Sequence, residues 1–400
     1  MVAVLATVVA RSASAQPVNI PDSGLAGAIR EALNLGAGEI TAQDMERLTT
    51  LNAAHRGIDS LEGLGAAHNL ADLNLGYNAL TEPVIPAGLT SLKTLTLDGN
   101  GLTQLSFAEN PRELWSLSLN ENWLEDFSFL AGLSNLIVLK LQYNDLTHLD
   151  LPPAVRGLNT LDLGFNLLTN LSFLAGLTNL ETLNLDDNGL RTVPLPPGVT
   201  NLTTLTLSIN RLTNFAFLAQ LPWLSILDLS ANFLTNIALP DNLGFLAWIN
   251  LAENRLTDIF LPQGCTNLTT VNAIDNALRT VVLPEPLADG SLAAWVSQLR
   301  AQGVTVHPYA IDVTLRDWRR DSGGSFSFQL SGPPGIYQVL ASTNFNSSFV
   351  AGRLTNQTGY ATFTNVAANG FLQLYHWAVR LAPSSTALAG GWRETVVERR

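Results

Sequence analysis

Side chains able to do covalent or metal chemistry are few in this 400-residue chain, and their spacing does not gather them. The histidines, His55, His68, His148, His307 and His376, are scattered; they make no H-x-x-x-H pair and stand in no metal-ligand spacing with carboxylates. Cys265 is the sole cysteine, which excludes an internal disulfide and reads as a small buried hydrophobe. The run "GPPG" at 332–335 lacks the length and the lysine of a phosphate loop, and no Ser-His-Asp grouping falls on neighbouring segments. Asp162, Asp186 and Asp187 are the nearest thing to a cation site, but oxygen ligands need a loop that converges them, so a solvated face is expected. No catalytic residue, cofactor or metal is therefore expected. The remaining chemistry is recognition by side chains of mixed polarity: Tyr77, Trp123, Lys140, Tyr143, Phe165, Leu167 and Phe233 form the candidate surface.

These residues hold fixed offsets from ten asparagines that stand 22 residues apart: Asn78, Asn100, Asn122, Asn144, Asn166, Asn188, Asn210, Asn232, Asn254 and Asn276. Tyr77, Tyr143 and Phe165 precede a ladder asparagine; Trp123, Leu167 and Phe233 follow one. The shared unit reads L-x-x-L-x-L-x-x-N-x-L. In "LETLNLDDNGL" (180–190) Leu183 and Leu185 alternate with polar residues, as a short strand with one buried face requires. A unit alone leaves its leucine face wet, and stacking on two neighbours buries it. The asparagine amide has both donor and acceptor, and so can satisfy backbone groups where the chain leaves the strand.

With this period and pattern the chain resembles the leucine-rich-repeat family, and within it the bacterial internalin-like proteins with short repeats. The resemblance implies an α/β solenoid, a horseshoe of parallel strands whose concave face carries the polar positions: Thr94, Ser116, Thr160, Thr182 and Thr204 in one column, Asn74, Thr96, Ser118, Asp162 and Asn184 in the next, with Lys140 interrupting. Trp123, Tyr143, Phe165 and Leu167 lie on three consecutive coils and are expected to make one apolar patch beside Lys140. The competing reading is that these rings fold onto their own neighbours as local packing. Return segments alternate between Phe-Leu-Ala runs, expected as short helical turns, and proline runs such as "LPPAV" (151–155), expected as extended or turn-like.

The expected organisation is a leader at 1–15, a helical cap at 16–47, repeats at 48–286, a C-terminal cap at 287–312, a linker at 313–323, a small all-β domain at 324–380 and a tail at 381–400. Leu25, Ile29 and Leu33 mark a helix in the first cap, and Thr41 with Asp44 an approximate capping box for a second at 42–48. Arg56 stands where a degenerate first repeat would carry its asparagine. A helix at 293–302 is expected to cover the last coil with Leu292, Trp295, Val296 and Leu299, followed by a strand at 304–307. Strands are expected at 326–330, 337–341, 361–364 and 371–377. Gly332, Gly335, Tyr337, Val339, Ser342, Thr343, Asn344, Gly359 and Phe363 give this stretch a resemblance to a C-terminal β-module of exported proteins from Verrucomicrobia and related bacteria. Phe345, Phe349 and Tyr375-His376 depart from that pattern.

A net charge of -12 argues against nucleic acid or an anionic membrane as partner, and no apolar run is long enough to span a bilayer. Val2 to Ala10 is apolar and Ala13-Ser14-Ala15 is a small-x-small cleavage signal, so export to the medium or cell surface is expected, without the usual basic start. The sequence thus reads as a non-catalytic binder of a protein or glycan. A structural spacer is the alternative, and a polysaccharide hydrolase a remote one for want of a paired carboxylate site; oligomeric state is open. Expression of the chain with residues 1–15 attached should give a mature N-terminus at Gln16 by terminal sequencing; an intact Met1 chain retained in the cytoplasm would refute export.

Overall fold

The computed structural model describes residues 16–320, 325–342, 349–365 and 375–381. The expected leader, Thr343, Asn344, Phe345, the start of the last expected strand at Phe371 and the tail beyond residue 381 lie outside the described residues. The chain forms two compact units that divide between Leu205 and Thr206.

The first unit opens with a helix, Ser23–Leu33, that buries Leu25, Ile29 and Leu33. Its N-cap Asp22 accepts from Leu25 N–H at 2.8 Å, and its second oxygen accepts from the Asp59 and Ser60 amides at 2.9 and 3.3 Å, tying cap to repeats. A short helix, Ala42–Met45, carries the Thr41–Asp44 capping box. Three-residue strands follow at Thr50–Asn52, Asp72–Asn74, Thr94–Thr96, Ser116–Ser118, Val138–Lys140, Thr160–Asp162 and Thr182–Asn184, each paired in parallel with the next. Only the central leucine of each strand is buried, so the flanking polar residues line an open face.

The turn after each strand is closed by the asparagine. Asn166 Nδ2 donates to the Leu163 and Gly164 carbonyls of its own coil at 3.0 and 3.1 Å and to Leu141 of the preceding coil at 2.9 Å. Its Oδ1 accepts from Asn144 and Leu146 amides at 3.1 and 3.0 Å. Asn122 repeats this set one coil pair earlier, and both side chains are buried. At Arg56, in the degenerate repeat, the side chain has no such role: the backbone amides of Arg56 and Ile58 donate to Asn78 Oδ1. One rung is incomplete, because the buried Asn144 Oδ1 has no hydrogen-bond partner although Nδ2 keeps Leu119 and Gln142.

The returns at Ser128–Gly132, Ser172–Leu174 and, in the second unit, Ala216–Gln220 are 3-10 turns that bury Phe173 and Phe217. Of the two forms expected for the proline returns, extended or turn-like, the one at Pro153–Gly157 takes the second and is also a 3-10 turn. Proline opens that turn, where its missing N–H has no partner to lose.

In the second unit the face strands Ile226–Asp228, Trp248–Asn250 and Thr270–Asn272 continue the pattern. Behind them Asn236–Ala238, Asp258–Phe260, Thr280–Pro284 and Thr305–Tyr309 make a further parallel sheet. The capping helix Ala293–Ala301 buries Val296 and Leu299, with Leu292 buried at its N-cap, but leaves Trp295 only partly covered, against expectation. Residues 314–320, within the linker expected at 313–323, form a strand (Thr314–Arg320) that pairs with Phe326–Ser331 and buries Leu315. That strand, Phe326–Ser331 and Tyr360–Asn365 make one antiparallel sheet, and Phe349–Asn356, Gly335–Ser342 and Tyr375–Leu381 a second. Leu315, Phe328, Tyr337, Val339 and Phe363 fill a shared core.

Because Asn166 uses both ends of its amide while Asn144 uses one, Asn166→Ala should destabilise the chain by about 1–3 kcal/mol and Asn144→Ala by less. Chemical unfolding of the two variants checks this; equal losses would show that the acceptor bonds contribute nothing.

Candidate functional site

The residue before each ladder asparagine is left-handed. Tyr77, Glu121, Tyr143, Phe165 and Asp187 in the first unit, and Ile209, Ala231, Glu253 and Asp275 in the second, have φ between 46 and 56°, and His55, before Arg56 in the degenerate repeat, has 57°. A left-handed conformation costs a non-glycine residue roughly 1–2 kcal/mol, yet only Gly99 in this column is glycine. The asparagine bonds to the two carbonyls upstream hold the turn closed around it, and the strained residue presents its side chain at the rim of the sheet.

Along this column the rings meet in pairs. His55 and Tyr77 stack at 4.7 Å and 2°, and Tyr77 Oη donates to Glu121 Oε1 at 2.9 Å, which raises the phenol above its ordinary pKa. The ring can cross the intervening coil because Gly99 lies there: a Cβ at Gly99 would sit 2.4 Å from Tyr77 Cδ1. Tyr143 and Phe165 stack at 4.2 Å and 9°, with Tyr143 49% exposed. Glu121 and Asp187 flank this pair in the same column.

The other column leans the opposite way. Trp123, 64% exposed, lies over Gly101 of the preceding coil, 3.5 Å from where a Cβ would stand, and has no ring contact with Tyr143 or Phe165 among the described residues. Asp145 occupies the coil between Trp123 and the exposed Leu167. The single patch expected from the spacing is thus a stacked pair with two separate apolar neighbours. Phe233 is covered by Arg255, whose guanidinium carbon is 4.6 Å from the ring centre, and Lys140 is exposed in register with Asp162.

Burial pushes the Asp162 carboxyl above its ordinary value against the Gly164 N–H, Gln142 and Lys140, and nearby Asp186 adds to the rise. Among the described residues no group of three histidine, cysteine or acidic side chains could hold a metal. Cys265 is buried, which with Asp241 nearby pushes its thiol up to about 12, so it stays protonated and unreactive.

The structure also exposes rings that the sequence reading passed over. Nine residues before the ladder, Asn69, Asn135, Asn201 and Asn267 donate to carbonyls of the preceding coil at 2.6–2.9 Å. Trp223 and Phe245 replace this asparagine on two consecutive coils and pack ring to ring at 5.1 Å, each about half exposed. Ile226 and Trp248 pair across the adjoining strands. The loss of asparagine at 223 and 245 was visible in the sequence.

A family model described as leucine-rich repeats in two copies matches residues 156–197. Among solved structures, the functional domain of InlJ from Listeria monocytogenes matches with a TM-score of 0.51 at 18% identity, covering 91% of this chain and 95% of that one. The fold is a leucine-rich-repeat solenoid. The leucine-rich-repeat domain of APL1B matches with a TM-score of 0.50 at 24% identity over 68% of this chain and 81% of its own. An internalin, InlF, from Listeria monocytogenes str. 4b F2365 matches with a TM-score of 0.47 at 21% identity over 74% of this chain and 98% of its own. Curated proteins give no match. InlJ is described as including a cysteine ladder, whereas the ladder of this leucine-rich-repeat chain is built of asparagine.

Proposed function

We propose that this chain is an exported, non-catalytic, internalin-like binding protein that recognises a protein partner at the rim of the repeat sheet around Tyr143 and Phe165. The observation that carries the reading is the stacked pair itself: exposed Tyr143 against half-buried Phe165 on the next coil, both on strained backbone and bordered by Glu121, Asp187, Trp123 and Leu167. Exposed aromatic groups inside a polar border are the usual anatomy of a protein-recognition surface. The leucine-rich-repeat fold supports a protein-binding role, and export draws support from the leader-like opening and from the resemblance of the C-terminal module to those of exported proteins. No helix among the described residues is long and apolar enough to cross a membrane.

A second reading, a structural spacer, draws on Tyr77 and Phe233, whose rings are engaged by Glu121 and Arg255 within the chain. The two readings part on one variant. Tyr143→Ala should reduce capture of a protein partner from an extracellular protein fraction by about fivefold or more, roughly 1 kcal/mol, with little change in unfolding. A variant that binds as the parent does, or that loses the roughly 3–5 kcal/mol of a buried ring in urea, would leave the spacer reading standing.

A further inference from the structure

A groove of about 550 Å³ lies within the second unit, between the last coil of the repeats and the capping helix Ala293–Ala301. This is within the size range of small-molecule sites. One wall is a single helix face: Trp295, Gln298 and Gln302 follow one another at the i, i+3, i+7 spacing that aligns side chains along a helix. The opposite wall is the exit of the last strand, with Asn272, Ile274 and the left-handed Asp275.

A helix that only seals a solenoid needs an apolar inner face and a polar outer one. The inner requirement is met by Leu292, Val296 and Leu299, all buried, so sealing leaves Trp295 and the two glutamines free of that task. Among the described residues the Gln298 and Gln302 side chains make no hydrogen bond, their backbone groups being engaged in the helix end, and Trp295 makes no ring contact. Four of the lining side chains are amides, the only charged one is Asp275, and no lysine or arginine lines the groove.

We infer that this groove binds a neutral saccharide. The Gln298 and Gln302 side-chain amides each offer a donor and an acceptor side by side, which is the arrangement that neighbouring sugar hydroxyls satisfy, while Asn272 and Asn276 are engaged within the turn. The indole offers an apolar face with a polar edge, which suits the C–H face of a sugar ring. Without a cation the lining gives no preference to an anion. None of these residues belongs to the Tyr143–Phe165 rim, so either site can fail without the other.

Isothermal titration and tryptophan fluorescence of the whole chain with cellopentaose, xylopentaose, mannopentaose and chitopentaose test the inference. At least one sugar should bind saturably in the millimolar range or tighter. Binding should weaken about tenfold or more in Trp295→Ala and in the Gln298→Ala, Gln302→Ala double variant, and be unchanged in Tyr143→Ala. The glutamines are exposed, so the double variant keeps the test decisive if Trp295→Ala unfolds in a parallel urea titration. No saturable binding by any of the four, tighter binding of a sulfated oligosaccharide, or binding that survives the double variant would overturn it.

Discussion

The buried asparagine amide is the interaction on which the rest of the structure depends. A coil 22 residues long must leave its strand after three residues, and at that point the backbone has groups that no ladder partner can reach. One amide, placed where the turn closes, supplies donor bonds to its own coil and the preceding one and an acceptor for two amides of the preceding coil. Leaving such groups unpaired in the interior costs about 1–3 kcal/mol each, against a total stability of only about 5–15 kcal/mol for a typical domain. The leucines supply the apolar burial, but they are indifferent to direction; the amide fixes where each coil turns.

The same amide makes the rim available for recognition. By holding the preceding residue in a left-handed turn, it frees that residue's side chain from the core, so the position accepts tyrosine, phenylalanine, glutamate, aspartate or isoleucine without altering the coil. The first unit uses this freedom to set Tyr143 against Phe165 while Glu121 engages Tyr77 across a glycine. The following position is free in a similar way but leans over the preceding coil, which places Trp123 on Gly101 and Arg255 on Phe233.

Most of the solenoid was legible in the sequence because one period expresses both the burial pattern and the hydrogen-bond pattern. The asparagines and leucines alone specify strand, turn and stacking. What the period could not express was orientation between columns: Trp123 and Tyr143 are near neighbours in sequence spacing, yet their rings turn to different coils. Residues 314–320 fall within the expected linker, yet they form a strand in which Leu315 is buried, because pairing with Phe326–Ser331 is a contact that local pattern does not express. The strand Phe349–Asn356 went unread because its alternation is interrupted by Gly352 and Arg353. The partly covered Trp295 was legible as a residue but not as geometry, since its exposure depends on what packs beside it.

Native-state hydrogen exchange tests the ladder most directly. Asn122 Oδ1 accepts from the amides of Leu102 and Asn100 at 2.8 and 3.2 Å, whereas the amide of Leu146 is held by Asn166. In Asn122→Ala, if the side chain holds the turn, the Leu102 and Asn100 amides should lose protection by about fivefold or more, the equivalent of roughly 1 kcal/mol, while Leu146 stays protected. Unchanged protection at Leu102 would contradict the ladder as the organising interaction of this fold.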